Sequence, residues 1–176
     1  MKTGLYADSP VRRIAVCSAL LGCALLLSYI ESLIPVVTVF PGMKIGLANI
    51  AVMAASCISL KDAAAVSILR VIIISVLFTN TVSFIFSLFG ALASLAVLLF
   101  FHLTKFKRIS WIGVSVLCAL FHNIGQMAGA VIVIASFAVT AYFPVLAAAS
   151  LFCGAFNGIV MNCLGARIQY KKLRDK

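Results

Sequence analysis

Long apolar runs alternate along the chain with short clusters of charged and polar residues, and the runs are too long and too continuous for half-buried strands. They predict helices over residues 14–34, 45–60, 63–78, 82–102, 111–137 and 143–166, because a helix needs about 20 apolar residues to cross the hydrocarbon core of a bilayer. Between the first two runs, Val36-Val-Thr-Val-Phe40 is β-branched and flanked by Pro35 and Pro41. Proline removes a backbone donor and β-branched residues favour extended chain, so this stretch reads as an outer loop. Small residues fall on single faces of two helices: Ala15, Ala19 and Gly22 in the first, and Ser83, Ser87, Gly90 and Ser94 in the fourth. Such stripes let helices approach closely inside a membrane.

Composition turns this pattern into a class. Of 176 residues, 64% are hydrophobic and 10% charged, with a mean hydropathy of +1.21. No soluble domain of this length covers so much apolar surface with so few charges. The expectation is a single all-α integral membrane domain over residues 1–176, with six transmembrane helices. Arg12-Arg13 before an apolar run looks like the start of a secretory signal. The run exceeds the usual 7–15 residues or so of a signal core and has no small-x-small cleavage site, so it reads as the first span.

The net charge of +10 invites a nucleic-acid reading, but its placement argues otherwise. Arg12, Arg13, Lys61, Lys105, Lys107, Arg108, Arg167, Lys171 and Lys172 fall in tails or alternate loops, the distribution of cytoplasmic ends. Both termini are therefore expected in the cytoplasm, with Lys44 the one basic residue in an outer loop. No nucleic-acid partner is implied. Six cysteines stand singly in apolar runs, without C-x-x-C or metal-ligand spacing, and read as small buried hydrophobes.

Three groups of residues could carry chemistry. Arg70 lies within the third run, where a buried arginine costs at least ~2.5 kcal/mol unless it is paired or faces a wet cavity; the alternative is that it snorkels to the cytoplasmic side. His122 and Gln126 share a face of the fifth helix, with Asn123 beside them, as a substrate contact or as a structural hydrogen-bond cluster. If Gly125-x-x-x-Gly129 and Gly154-x-x-x-Gly158 face each other across the last two helices, Asn157 joins that neighbourhood. Glu31, with Ser28, Tyr29 and Ser32, stands at the outer end of the first helix, level with Lys44, Asn49, Asn80, Thr81 and Tyr142. These are either the mouth of an outward pocket or ordinary interfacial residues.

Absent motifs constrain the function. There is no G-x-x-x-x-G-K-[ST] and no Asp-rich diphosphate site, so the chain is expected not to be an enzyme and to need neither cofactor nor metal.

Tyr29-Ile-Glu-Ser32, Pro41-Gly-Met-Lys-Ile-Gly-Leu-Ala-Asn-Ile50, Leu69-Arg-Val71 and His122-Asn-Ile-Gly-Gln126, in this order within six spans, resemble the bacterial membrane family labelled heptaprenyl diphosphate synthase component I, also called the Gx transporter family. The architecture is similar to the substrate-binding S components of energy-coupling factor (ECF) vitamin transporters. That likeness implies a bacterial cytoplasmic-membrane protein that binds a small molecule, with Ala15 and Ala19 docking a transmembrane coupling protein served by ATPases. Substrate would meet Glu31, Lys44 and Asn49 at the mouth, then Arg70, His122, Asn123, Gln126 and Asn157 deeper in, and two cationic residues there would favour an anion. The family label implies instead a non-catalytic subunit of isoprenoid diphosphate synthesis. A stand-alone secondary transporter using Glu31 as a proton carrier is the third possibility.

Overall fold

Proline's missing N–H is not needed in the first turn of a helix, and Pro10 opens α1, which runs Pro10–Ser32. The computed structural model describes residues 10–33, 46–78, 81–104 and 110–174, and the regular elements among them are all helical. α2 spans Asn49–Ser56, α3 Leu60–Phe78, α4 Thr81–Thr104, α5 Trp111–Ile134 and α6 Phe143–Arg174; a 3-10 segment, Phe137–Tyr142, precedes α6. Lys44 and the rest of the 35–44 loop, Asn80, and the basic 105–108 loop lie outside the described residues.

Four stretches are long and apolar enough to cross a membrane: Pro10–Ser32, Thr81–Thr104, Trp111–Ile134 and Phe137–Leu164. Their outward surface is apolar, with Ile14, Leu26, Leu103, Phe137 and Phe152 exposed, as a lipid-facing wall requires. α3, at 19 residues, has nearly the length of a span at ~1.5 Å per residue but carries Lys61, Asp62 and Arg70.

The expected second span departs most from the sequence reading. Only Asn49–Ser56 is α-helical. Gly46, at φ +97°, begins the segment; its carbonyl accepts from the Asn49 N–H, and at the far end the Cys57 N–H donates to Ala54. From Gly46 to Ser59 the segment covers about 20 Å, short of the ~30 Å hydrocarbon core. α2 is instead an interior element. Ala51, Val52, Met53 and Ala55 are all buried, among α1, α3, α5 and α6. A short helix at membrane depth is tolerable when protein surrounds it, because its unpaired ends then meet protein and not lipid.

Other boundaries shift for local reasons. α3 begins at Leu60 because the Ser59 hydroxyl accepts from the Lys61 N–H at 3.3 Å and Asp62 sits in the first turn, where a negative charge suits the helix dipole. α5 stops at Ile134 because Ala135 turns left-handed, at φ 52°.

α5 is the axis of the bundle: half of its span is buried, against 17% of α1's. The two glycine pairs do not meet. A Cβ at Gly125 would strike the Phe89 carbonyl of α4, whereas one at Gly154 would lie 2.6 Å from Val116 Cα and one at Gly158 would strike Ile112 Cα, both on the first half of α5. Each pair therefore serves a different interface, α5 against α4 and α6 against α5. Two apolar clusters cap the interior, one around Val52, Met53, Leu98 and Met161, the other around Phe86, Met127 and Val139. α1 is tied to the start of α3 by Arg13, whose Nη2 lies 2.8 Å from an Asp62 carboxylate oxygen and whose Nε donates to the other at 3.0 Å. Of the cysteines, Cys118 is buried, but Cys23 and Cys163 are exposed, so the expectation of burial fails for those two. On an apolar outer wall a small thiol faces lipid as readily as protein.

Candidate functional site

Arg70 does not snorkel. It lies near the middle of α3 on the face that also buries Val66, Ser67, Val71 and Ile74, and it is only 4% exposed. Its Nε has no hydrogen-bond partner. Beside it is a small cavity lined by Ser28 of α1, Arg70, Val71 and Ile74 of α3, Ser87 of α4 and His122 of α5. The cavity has room for about one water molecule. Arg70 and His122 thus share one site, contributed by four helices.

His122 is fixed from two sides. The Gln126 amide nitrogen lies 2.8 Å from His122 Nε2. This contact fixes the orientation of the imidazole, with the donor and acceptor roles of the pair set by its tautomer. Gly90 of α4 presses against both residues: a Cβ there would lie 2.8 Å from Gln126 Cγ and 2.9 Å from His122 Cε1. Any larger residue at 90 would displace the ring from the cavity wall.

Glu31 is fully buried, inside the bundle and not at an open mouth. Its Oε1 accepts from the backbone N–H groups of both Gly46 and Leu47, at the entry to α2. Those N–H groups precede α2 and have no carbonyl of that helix to bind, so a carboxylate from α1 satisfies them. Asn157 of α6 completes the arrangement by donating from Nδ2 to the Gly46 carbonyl at 3.1 Å. Gly46 therefore joins α1, α2 and α6. A Cβ at Gly46 would lie 3.2 Å from Asn49 Nδ2 and 4.0 Å from His122 Cδ2, which places Asn49 and the imidazole against the same turn. Neither polar atom of the Asn49 side chain has a partner, at 3% exposure. Glu31 is near enough to Arg70 to act on it electrostatically, so the latch around Gly46 and the cavity form one polar layer between the two apolar clusters.

Asn123 belongs elsewhere. Its Nδ2 donates to the Leu146 carbonyl at 3.1 Å and to Ser150 Oγ at 2.7 Å, which makes it a link from α5 to α6. Ala15 and Ala19 are exposed on α1, and the space around Gly22 is open. Sequence reasoning placed Ser28 beside Glu31 at a pocket mouth and not at the Arg70 cavity that it lines, and it missed the cavity role of Ser87 and the joint at Gly46. Ser87 was one of a serine stripe read as packing surface, and only Gly46 carried a local sign, since glycine suits a positive φ before a helix.

Searches of curated proteins and of solved structures find no match. The sequence profile described as heptaprenyl diphosphate synthase component I matches residues 20–164, which takes in α1 from Leu20, the whole polar layer and α6 as far as Leu164. The chain therefore belongs to the heptaprenyl diphosphate synthase component I family.

Proposed function

We propose that this chain is the membrane-embedded substrate-binding subunit of a bacterial uptake system for a small molecule, similar in role to an ECF transporter S component, with both termini in the cytoplasm and α2 enclosed within the bundle. Arg70 carries the reading. A guanidinium held in a membrane bundle with its Nε unpaired is costly, and it borders a cavity to which four helices contribute. Such an arrangement suits a ligand that supplies the missing acceptor. Substrate would reach the polar layer from the side of Glu31 and Asn49, and exclusion of water would strengthen each contact it makes there. His122, held by Gln126, and Asn49, with its unspent amide, would orient it. The exposed Ala15 and Ala19 face suits docking by a transmembrane coupling protein whose ATPases supply energy. In this reading the chain performs no catalysis and holds no metal or cofactor.

The family's description supports a second reading, a non-catalytic membrane subunit of heptaprenyl diphosphate synthesis. Affinity purification of the tagged full chain from its native membranes in mild detergent, with mass spectrometry of proteins and small molecules, separates the two. The transporter reading expects a multi-span coupling protein with ATPases and a small molecule that is lost from Arg70→Gln. Recovery of a soluble prenyl synthase and an isoprenoid diphosphate would overturn it in favour of the second.

A further inference from the structure

We infer that the small cavity beside Arg70 is a site for one ordered water molecule, bound between the Nε–H of Arg70 on α3 and the hydroxyl of Ser87 on α4, with Ser28 of α1 and His122 of α5 completing its polar wall.

Size and lining come first. The cavity has room for about one water. A hollow of that size lined by carbon alone stays dry, because a water inside it would give up hydrogen bonds and gain none. This cavity is of the other kind. Val71 and Ile74 supply its carbon surface, but Ser28, Arg70, Ser87 and His122 are polar, and all four are buried.

The unspent hydrogen-bonding groups come next. Neither Arg70 Nε nor Ser87 Oγ has a partner in the protein, and buried polar atoms left bare are rare in folded chains and costly. They belong to different helices yet line the same space, so one water can satisfy both. It accepts from the Arg70 N–H, which can only donate, and it exchanges a hydrogen bond in either direction with the serine hydroxyl. The same freedom suits the rest of the wall, since a water serves Ser28 and His122 whatever the tautomer of the imidazole. A metal cation has no such fit, because the guanidinium offers donors alone.

The water site does not depend on what the chain binds or assembles with. Under the binding-subunit reading, an acceptor atom of the ligand takes the place of this water, and the guanidinium exchanges one partner for another.

The test is solid-state NMR of the isotope-labelled full chain in lipid bilayers, measuring magnetisation transfer from water protons to the Ile74 methyl groups and to Arg70 Nε, the latter identified by its loss in Arg70→Lys. Ile74 has no exchangeable side-chain proton, so transfer to its methyls requires a water molecule at the cavity wall. Both signals are expected in the unaltered chain. Val71→Ile adds one carbon from the α3 wall and should abolish both, and Ser87→Val fills the same space from α4 should the isoleucine variant not fold. Absence of transfer to Ile74 in the unaltered chain would overturn the proposal. So would transfer that survives the filling substitutions, because the water would then lie elsewhere. Neither result touches the co-purification, which decides the subunit reading separately.

Discussion

The two sides of the bundle are held together by different means. On one side α4, α5 and α6 meet backbone to backbone, with Gly90, Gly125, Gly154 and Gly158 at points where a single added carbon would touch the neighbouring helix. On the other, α1 and α2 pack through the apolar cluster around Val52 and Met53 and are joined in addition at a few polar points: Arg13 to Asp62, Glu31 to Gly46 and Leu47, and Asn157 to Gly46. Close packing through glycine gains dispersion along the whole length of contact and has one good geometry. A polar joint of this kind is local, so breaking one loosens the turn it holds without dismantling the bundle. The cavity lies where the two kinds of construction meet, with His122 and Ser87 from the packed side and Ser28 and Arg70 from the α1–α3 side.

Substitutions on the two sides should differ in kind as well as size. Gly125→Leu puts a branched side chain against the Phe89 backbone and should cost about 3 kcal/mol or more, seen as loss of monodisperse protein on size-exclusion chromatography; a well-behaved variant would mean that α4 and α5 can separate cheaply. Asn157→Leu removes one donor and leaves the Gly46 carbonyl with less than its native set of bonds. The expected cost is about 1–3 kcal/mol, with faster hydrogen exchange at Gly46 and Leu47 and unchanged exchange across α4 and α5. Exchange rising equally on both sides would show that the polar attachments are not local. Arg13→Gln should have the smallest effect, because its bridge to Asp62 is partly exposed and exposed pairs contribute little. Its lowering of the unfolding midpoint should vanish in molar salt, and an undiminished effect would give that bridge a larger place than its exposure allows.

The packed side was the more legible in the sequence. Its helices are long, their apolar runs continuous, and α4 and α5 emerge within a few residues of the expected ends. The partners of the glycines were not legible, because Gly125 and Gly154 recur at the same spacing whichever helix each of them meets. α2 was hidden for a related reason: the 45–60 run is as apolar as a span, since a helix enclosed by protein needs the same residues as one enclosed by lipid. The apolar pattern alone placed the start of α3 at residue 63 and passed over Ser59 and Asp62, a serine three residues before an acid that marks the start at Leu60. For the site, Arg70, His122 and Gln126 stood out as polar residues in apolar runs. Glu31 and Asn49 stood out too, but their depth depends on the turn at Gly46, a tertiary feature that no local pattern encodes.

The hydrogen bond from Asn157 to Gly46 also sets an order of events at birth. It joins residues 111 positions apart, so it cannot form until Asn157 has followed Gly46 out of the ribosome. At a synthesis rate of ~5–20 residues per second, that is a wait of roughly five to twenty seconds, during which α1 and α2 have entered the membrane and the Gly46 carbonyl lacks its α6 donor. α6 closes the turn that opens α2, and a chain released before α6 would keep its earlier apolar spans yet present an unfinished polar interior to the cell's quality control.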